Sequence, residues 1–539
     1  MSVRILIVLA YLGVTLFIGI LFRRKAQQNE EEFFLAGRNV SSLFLFFTLA
    51  ASNFSAFTMF GFSGAGYRIG YAFYPVMGFW TGFMALSLFI LGKRILLLSK
   101  ERHYVTPSDY IMDRYRSGFL KKLTSLIMIV FTLPYLALQA IAGGASLMSL
   151  TGLPYLAGSL LVTVFVILYV SLGGLRSIIW TDFIQGLMML VFAAAAFFII
   201  IRGAGGFAES QRNVFAEVPE FFSRPGGGGA MGRGVWFSYM ILWFFGVPLS
   251  PHMFQRFIAA KDQKSLKQAV VFYPLITTFL FFLTVSIGVI GRGVIPGLPA
   301  QESDTIFPLL LGRFAGTALS TLLLTGTLAA LMSTMDSQLL TMTSMISRDF
   351  RKTDAPGKVK RERLIVIILG AAGFLISIRP PETILSFINA TTFNGLSVLA
   401  PMVFGGLFWK KGSASGAAAS IFTGEILVVL YYLKLLPSGP FLPVIPVVAA
   451  SAVVYIFVSL LTEKSRGNSS LVFPVDASKL KPGLFFLAFT VLGHDFWRWG
   501  KNPVFFLSLP VWIWYFFVLG VLLSLCFKFV LRAGRSSLE

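Results

Sequence analysis

Apolar stretches long enough to cross a bilayer recur from one end of this chain to the other. A helix needs about 20 such residues to pass through hydrocarbon. Stretches of that order lie near 3–22, 41–66, 71–92, 123–148, 154–172, 177–202, 235–254, 268–291, 312–347, 363–379, 383–409, 413–433, 439–462 and 505–530. Hydrocarbon offers no partner to a peptide N–H or C=O, so each stretch must satisfy its own backbone as a helix. The expected class is an all-α polytopic membrane protein with about 14 transmembrane helices. Composition agrees, with 56% of the 539 residues hydrophobic and 13% charged, about half the charged share of an ordinary soluble domain. The formal net charge of +22 would suggest nucleic acid in a soluble chain. Here Lys and Arg gather in connecting loops such as 93–122 and 348–363. That is the positive-inside pattern; it sets the N-terminus outside and points to a lipid bilayer, not a nucleic acid, as the surrounding partner.

Residues 3–22 end in Arg23-Arg24-Lys25 with no small-residue cleavage site, which reads as an uncleaved first span. The longest connections, 93–122, 203–234 and 463–504, are too short or too Gly-rich for an appended soluble domain, so 1–539 is expected to form one integral membrane domain. The run Pro225 to Gly229 is a flexible linker signal. Leu480 to Gly500, amphipathic and rich in Trp and Phe, is expected to lie in the interface and not to span. The lone Cys526 excludes an internal disulfide framework. Oligomeric state has no signal in the sequence.

Three segments break the apolar pattern. Residues 50–66 interrupt a helix with Ser, Asn, Thr and Gly, and five spans later Gly246, Pro248 and Pro251 interrupt another. Interrupted helices in corresponding positions of two halves point to a transport site, because unwound backbone can ligate ions and solute. The third segment is Leu328 to Gln338, where hydroxyls and one carboxylate sit inside an apolar helix. Ser333, Asp336 and Ser337 stand at i, i+3 and i+4 and share one face. All three offer oxygen, the atom a hard cation prefers, so the cluster implies a small cation site at membrane depth.

Several stretches carry a family resemblance. They are Glu32 to Arg38; Val105 to Tyr110 with Arg114-Tyr115; Gly173-Gly174-Leu175-Arg176 followed by Trp180 to Gly186; and the hydroxyl cluster through Arg348-Asp349. In order and hydropathy they resemble the sodium/solute symporter family, whose members carry proline, pantothenate, monocarboxylates, sialic acid and sugars. The resemblance implies a ten-helix core of two inverted five-helix repeats (5+5, the leucine-transporter type) over 41–409. Accessory helices are then expected at 3–22 and 413–530, in a multi-pass protein of the cell membrane.

The resemblance also assigns residues. Sodium, the implied coupling ion, would meet the adjacent hydroxyls of Ser333 and Thr334 and the carbonyls of Ala51, Phe54 and Ala330. Neutral oxygens in a half-open cage suit a monovalent ion that must be released, whereas a set of carboxylates would favour a divalent one. Some members hold a second sodium, which here would use Asp182, Asp336 and Ser337. Asp336 departs from the serine expected there. Two acids could strengthen cation binding or share a proton, and Asp182 could instead pair Arg176, cap its helix or gate the inner exit. Asn53 replaces an aspartate found in some members. A small organic solute would bind between the broken helices against Asn53, Ser55, Thr58, Tyr135, Gln139 and Trp243. Leu133 to Gln139 resembles monocarboxylate members, while Arg379-Pro380-Pro381-Glu382 and Gly246 to His252 resemble pantothenate members. Both imply a carboxylate-bearing solute, either a monocarboxylate or one like pantothenate or proline, received by a helix N-terminus at a break.

The expected function is sodium-coupled symport by alternating access, without covalent chemistry. Proton-coupled or sodium-independent transport on the same fold is the rival. A membrane sensor would need a signalling domain, for which the segment after the last span has no room. An integral-membrane enzyme would need a polar cluster that His103, His252 and His494, scattered as they are, do not form. His252 is expected to be structural, and Glu425, midway along an accessory helix, has no assigned role.

Overall fold

The computed structural model describes residues 3–55, 57–350, 359–379, 392–437, 439–462, 467–473 and 480–531. It is helical apart from one pair of two-residue strands, Phe505–Phe506 and Leu509–Pro510, among these residues. Helix ends follow local chemistry. Asn29, Ser117, Asp262 and Ser413 each accept a backbone N–H of the first turn they precede, satisfying donors the helix itself leaves orphaned. Thr106 and Asp109 form a reciprocal capping box around Pro107.

Against the fourteen expected spans, nine helices among the described residues are long and apolar enough to cross a membrane, or ten if one bent pair counts as a span. Breaks account for much of the difference. The stretch 41–66 is divided at its middle, and 383–409 enters the description only at Thr392, leaving its start and Pro380-Pro381-Glu382 outside the described residues. The two stretches 154–172 and 177–202 form a single element, Tyr155–Gly203, interrupted at Gly174 with φ +57° and ψ −157°. Forty-nine residues of straight helix would reach about 74 Å, more than twice the thickness of bilayer hydrocarbon. The element instead doubles back. Tyr169 and Asp182 stand on opposite sides of the break, and both face Asp336 of the Thr317–Asp349 helix. Both limbs also pack on Val3–Ala26: Gly19 touches Tyr169, and Gln185 Nε2 donates to the Tyr11 hydroxyl at 2.8 Å.

The stretches that carried the resemblance meet at the face expected to be cytoplasmic. Arg176 pairs with Glu32 at 2.9 Å. Asp349 accepts the hydroxyls of Thr106 at 2.8 Å and Ser125 at 2.6 Å, with Lys121 Nζ at 3.3 Å. At the opposite face Arg68 pairs with Asp304 at 3.1 Å, and the Tyr67 hydroxyl donates to the Ile295 carbonyl at 2.8 Å. Polar closures therefore stand at both ends of the core.

One expectation fails. Leu480–His494 does not lie along an interface; its two flanks reach opposite faces. Before it, Asn468 N–H donates to the Arg114 carbonyl and Phe473 N–H to the Leu407 carbonyl, at the face expected to be cytoplasmic. After it, Asp495 pairs with Arg224, and Trp236 Nε1 donates to the Gly493 carbonyl, at the opposite face. Val511–Val530 then returns, from a Trp512–Phe222 hydrogen bond at the outer face to a Ser524–Val271 bond deeper in. The aromatic residues that suggest an interfacial helix are used instead for packing, as in the Phe486–Phe527 pair.

Candidate ion and solute sites

The first broken span is helical over Ser42–Asn53, departs from helix at Phe54 (φ −84°, ψ 87°), and resumes through a wide turn at Phe57–Gly61 into Phe62–Ile69. Short polar side chains compete with the helix for backbone groups here. Ser55 Oγ accepts the Phe57 N–H at 3.2 Å, and Asn53 Nδ2 donates to the Tyr273 hydroxyl at 2.6 Å. The second broken span is Arg233–Ile241, a wide turn at Leu242–Gly246, and Pro251–Ala259 after a 48° bend. Pro251, which has no N–H to give to a preceding turn, opens the last piece.

Between them passes Thr317–Asp349. Its Ser333 Oγ lies 2.9 Å from the Ala51 carbonyl oxygen and 3.0 Å from that of Ala330, and Thr334 Oγ1 lies 3.2 Å from the Ala330 oxygen. Four of the five expected sodium ligands are thus linked through these three contacts. Phe54 stands at the break itself, its ring against Phe281. The donor set is neutral, buried and made only of oxygen, which fits a hard monovalent cation.

One turn further along, Asp182, Asp336 and Ser337 come together as expected, all fully buried. Tyr169 hydroxyl lies 2.8 Å from Asp336 Oδ2, and Ser337 Oγ donates to Asp336 Oδ1 at 3.1 Å. Sequence reading did not anticipate the residue at the centre of this group. Arg256, from the last piece of the second broken span, lies fully buried with Nη2 3.5 Å from Asp182 Oδ2. Its Nε donates to Thr48 Oγ1 at 3.0 Å, and its Nη2 to Ser337 Oγ at 2.5 Å and Ser52 Oγ at 3.3 Å. Thr48 in turn donates to Asp182. The alternative that Asp182 pairs Arg176 is not realised, because Arg176 is taken by Glu32. Between the apolar stretches 235–254 and 268–291 Arg256 reads as part of a basic connection, where the positive-inside pattern absorbs any arginine without comment. The usable signal was the acid pair itself, since two carboxylates at membrane depth call for a cation.

A small cavity opens beside the first break, lined by Asn53, Thr58, Tyr135 and Trp243 among the expected solute residues. Phe57, Phe62, Met77, Thr81, Val247, Phe281 and Phe393 complete the lining and were not anticipated. Ser55 and Gln139 do not line it. Ser55 supports the break and bonds Tyr135, and Gln139 Nε2 donates to the Tyr135 carbonyl of its own helix at 3.1 Å. The Trp243 Nε1 donor has no partner among the described residues. His252 is buried with its ring facing Tyr135. Glu425 is half-buried on Ala414–Tyr432, both carboxylate oxygens without a partner among the described residues.

The model of the "Sodium:solute symporter family" matches residues 33–424. The sodium/pantothenate symporter of Escherichia coli (strain K12) is 30% identical over 466 residues, 84% of this chain and 95% of that protein. The osmoregulated proline transporter OpuE of Bacillus subtilis (strain 168) is 26% identical over 502 residues, 89% of this chain and 99% of that protein. Among solved structures, a Na+-coupled sialic acid symporter in a substrate-bound outward-open state shares the fold. Its TM-score is 0.71 at 17% identity, with 87% of this chain and 99% of that one covered. Relatives of this kind are multi-pass membrane transporters and not enzymes. The chain belongs to the sodium:solute symporter family.

Proposed function

We propose that this protein is a sodium-coupled symporter that imports a small, carboxylate-bearing solute by alternating access. The observation that carries the reading is the contact of the Ser333 hydroxyl with the Ala51 carbonyl, in the last helical turn before the break in the first span. An ion held there would draw Ala51 and Thr317–Asp349 together and fix the unwound segment, whose next residues, Asn53 and Thr58, line the solute cavity. Ion and solute then favour the same state, so each raises the affinity for the other by the same factor. The paired broken spans support a core over 41–409 made of two inverted five-helix repeats, with 3–22 and 413–530 as accessory helices.

The cavity lining has no charged side chain. Its polar groups are the Asn53 amide, the hydroxyls of Thr58, Thr81 and Tyr135, and the unpartnered Trp243 indole N–H, a donor in want of an acceptor. A single carboxylate can be held by such donors beside a helix N-terminus, while the aromatic walls take an apolar body. Pantothenate and proline, the solutes in the names of the two relatives, each carry one carboxylate.

The test uses purified protein in proteoliposomes. A thermal-shift screen of carboxylates, amino acids and sugars, with and without sodium, names the solute class, and uptake is then followed under an imposed sodium gradient. Ser333→Ala and Thr334→Ala should each raise the half-saturating sodium concentration by about tenfold, the loss of one ligating oxygen. Uptake indifferent to sodium, or unchanged sodium dependence in both variants, would refute the assignment.

A further inference from the structure

Arg256 stands among the groups expected to hold a second sodium, and its hydrogen bonds take up the hydroxyls that ion would use, leaving Asp182 Oδ1 as the acid oxygen without a partner among the described residues. A hydroxyl oxygen has two lone pairs and one proton. Ser337 Oγ accepts from Arg256 Nη2 at 2.5 Å, stands 2.9 Å from Ser52 Oγ, and donates to Asp336 Oδ1 at 3.1 Å. With Ser52 donating, all three capacities of the Ser337 hydroxyl are in use. Thr48 Oγ1 accepts from Arg256 Nε at 3.0 Å and passes its own proton to Asp182. The guanidinium also lies 3.5 Å from Asp182 Oδ2, the acid a second sodium would need. A free cation about 4 Å from this fixed one would bind roughly a thousandfold more weakly for charge repulsion alone. Arginine suits such a post, since it stays charged and its planar fork reaches several acceptors at once.

We infer that Arg256 is a built-in cation that takes the place of a second sodium, so that the carrier binds a single sodium ion, at Ser333 and Thr334. The inference rests on the sodium reading above and goes beyond it by fixing the ion count. It also gives the acid pair a role in every state of the cycle. Asp182 is balanced by a charge that never leaves, so the 175–203 limb, the first broken span and the second broken span stay tied when the mobile ion is gone. Arg256 is a positioning and specificity-determining residue on this account.

The experiment counts bound ions, with sodium itself as the probe. Equilibrium binding of radioactive sodium to the purified full-length carrier, choline chloride holding ionic strength constant, should saturate at one ion per chain with a Hill slope of one. Arg256→Met frees the hydroxyls of Ser337, Ser52 and Thr48 beside two carboxylates, and should bind two ions per chain at saturation. Arg256→Lys should stay at one. In the Arg256→Met chain, adding Asp182→Asn should abolish the extra ion. Two ions bound to the wild type would overturn the inference without any variant, as would an Arg256→Met chain that folds and still binds one. No ion bound to the wild type would overturn the sodium reading instead, and this inference with it.

Discussion

Replacing either partner of the Arg224–Asp495 pair tests whether Leu480–His494 ends at the outer face. The ion pair is 2.8 Å long, with side chains 2% and 1% exposed. Breaking a buried pair from one side costs about 3–5 kcal/mol, because the remaining charge stays buried without compensation. The two sides should not cost the same. In Asp495→Asn the guanidinium still lies 5.0 Å from the Trp512 ring centroid and 5.7 Å from that of Trp499. Those cation–π contacts go on stabilising it, which sets the cost at the lower end, about 3 kcal/mol. In Arg224→Met the carboxylate loses its ion pair and keeps only the weaker attraction of Arg498 and Lys501, and its Oδ1 already lacks a hydrogen-bond partner among the described residues. The cost moves to the upper end, about 5 kcal/mol. The double variant should cost less than the sum by about 3 kcal/mol, the upper limit for residues in direct contact. Reversible unfolding in mixed micelles, with denaturing detergent as the titrant, measures all three. Additive effects within about 0.5 kcal/mol, or Asp495→Asn as costly as Arg224→Met, would refute the pairing and with it the position of residue 495.

The same crossing can be mapped chemically: in a chain with Cys526→Ser and Lys501→Cys, a membrane-impermeant maleimide should label intact cells, and labelling only after permeabilisation would restore the interfacial arrangement. Gly174 has φ +57°, and a Cβ added there would meet the Phe33 carbonyl oxygen at 2.6 Å. Gly174→Ala should therefore cost about 1–3 kcal/mol, read as faster heat inactivation, whereas Gly118→Ala, with open space around its site, should not. Burial pushes the Asp109 carboxyl up, but Lys121 at 2.7 Å and the N–H groups of Thr106 and Val105 outweigh it and hold the group below the usual carboxylate range. Folding then favours the ionised form, so its contribution is complete at neutral pH and is lost as pH falls through about 4 toward the folded value. The melting temperature of Asp109→Asn should fall less steeply than that of wild type as pH drops below about 5; parallel slopes there would count against the cap.

Sequence alone picked out the cluster at Ser333, Asp336 and Ser337, because hydrocarbon makes any polar cluster conspicuous and helical periodicity puts these three on one face, whereas Thr334 was assigned only through the family resemblance. The breaks were legible for a like reason, since Ser, Asn, Gly and Pro side chains act on their own backbone. Arg256 was not legible. Nothing local distinguishes an arginine that ends a span in the interfacial water from one drawn inward, and its partners Thr48, Ser52, Asp182 and Ser337 come from three other helices. Phe57, Phe62, Phe281 and Phe393 were missed because an aromatic residue in an apolar helix looks the same whether it faces lipid, core or cavity. The direction of Leu480–His494 depended on Arg224, in a loop that reads as plain linker.

The two ion-related groups share more than a helix. Adjacent residues of the first broken span hold residues one turn apart on Thr317–Asp349: the Ala51 carbonyl takes Ser333, and the Ser52 hydroxyl meets Ser337. The upper contact is the one a mobile ion would remake, since the ion and the Ser333 proton compete for the same carbonyl oxygen. The lower contact ends on Arg256 and is remade by nothing that comes and goes. On the proposed reading the span therefore pivots: sodium loosens or tightens the break at Ala51 while Ser52 stays pinned through Ser337 to a permanent charge. A shift of that kind moves Asn53 and Thr58, which follow the pinned residue, more than it moves Thr48, which precedes it. Coupling to the solute would then depend on Ser52 even though Ser52 touches neither ligand. Ser52→Ala should leave sodium binding at Ser333 within about twofold, yet reduce the factor by which sodium raises solute affinity, by up to about fivefold for the loss of one hydrogen bond near 1 kcal/mol. Measuring solute-induced thermal stabilisation at zero and saturating sodium in the two proteins gives that factor directly. An unchanged ratio would mean that the break moves as a whole and the pivot does not exist.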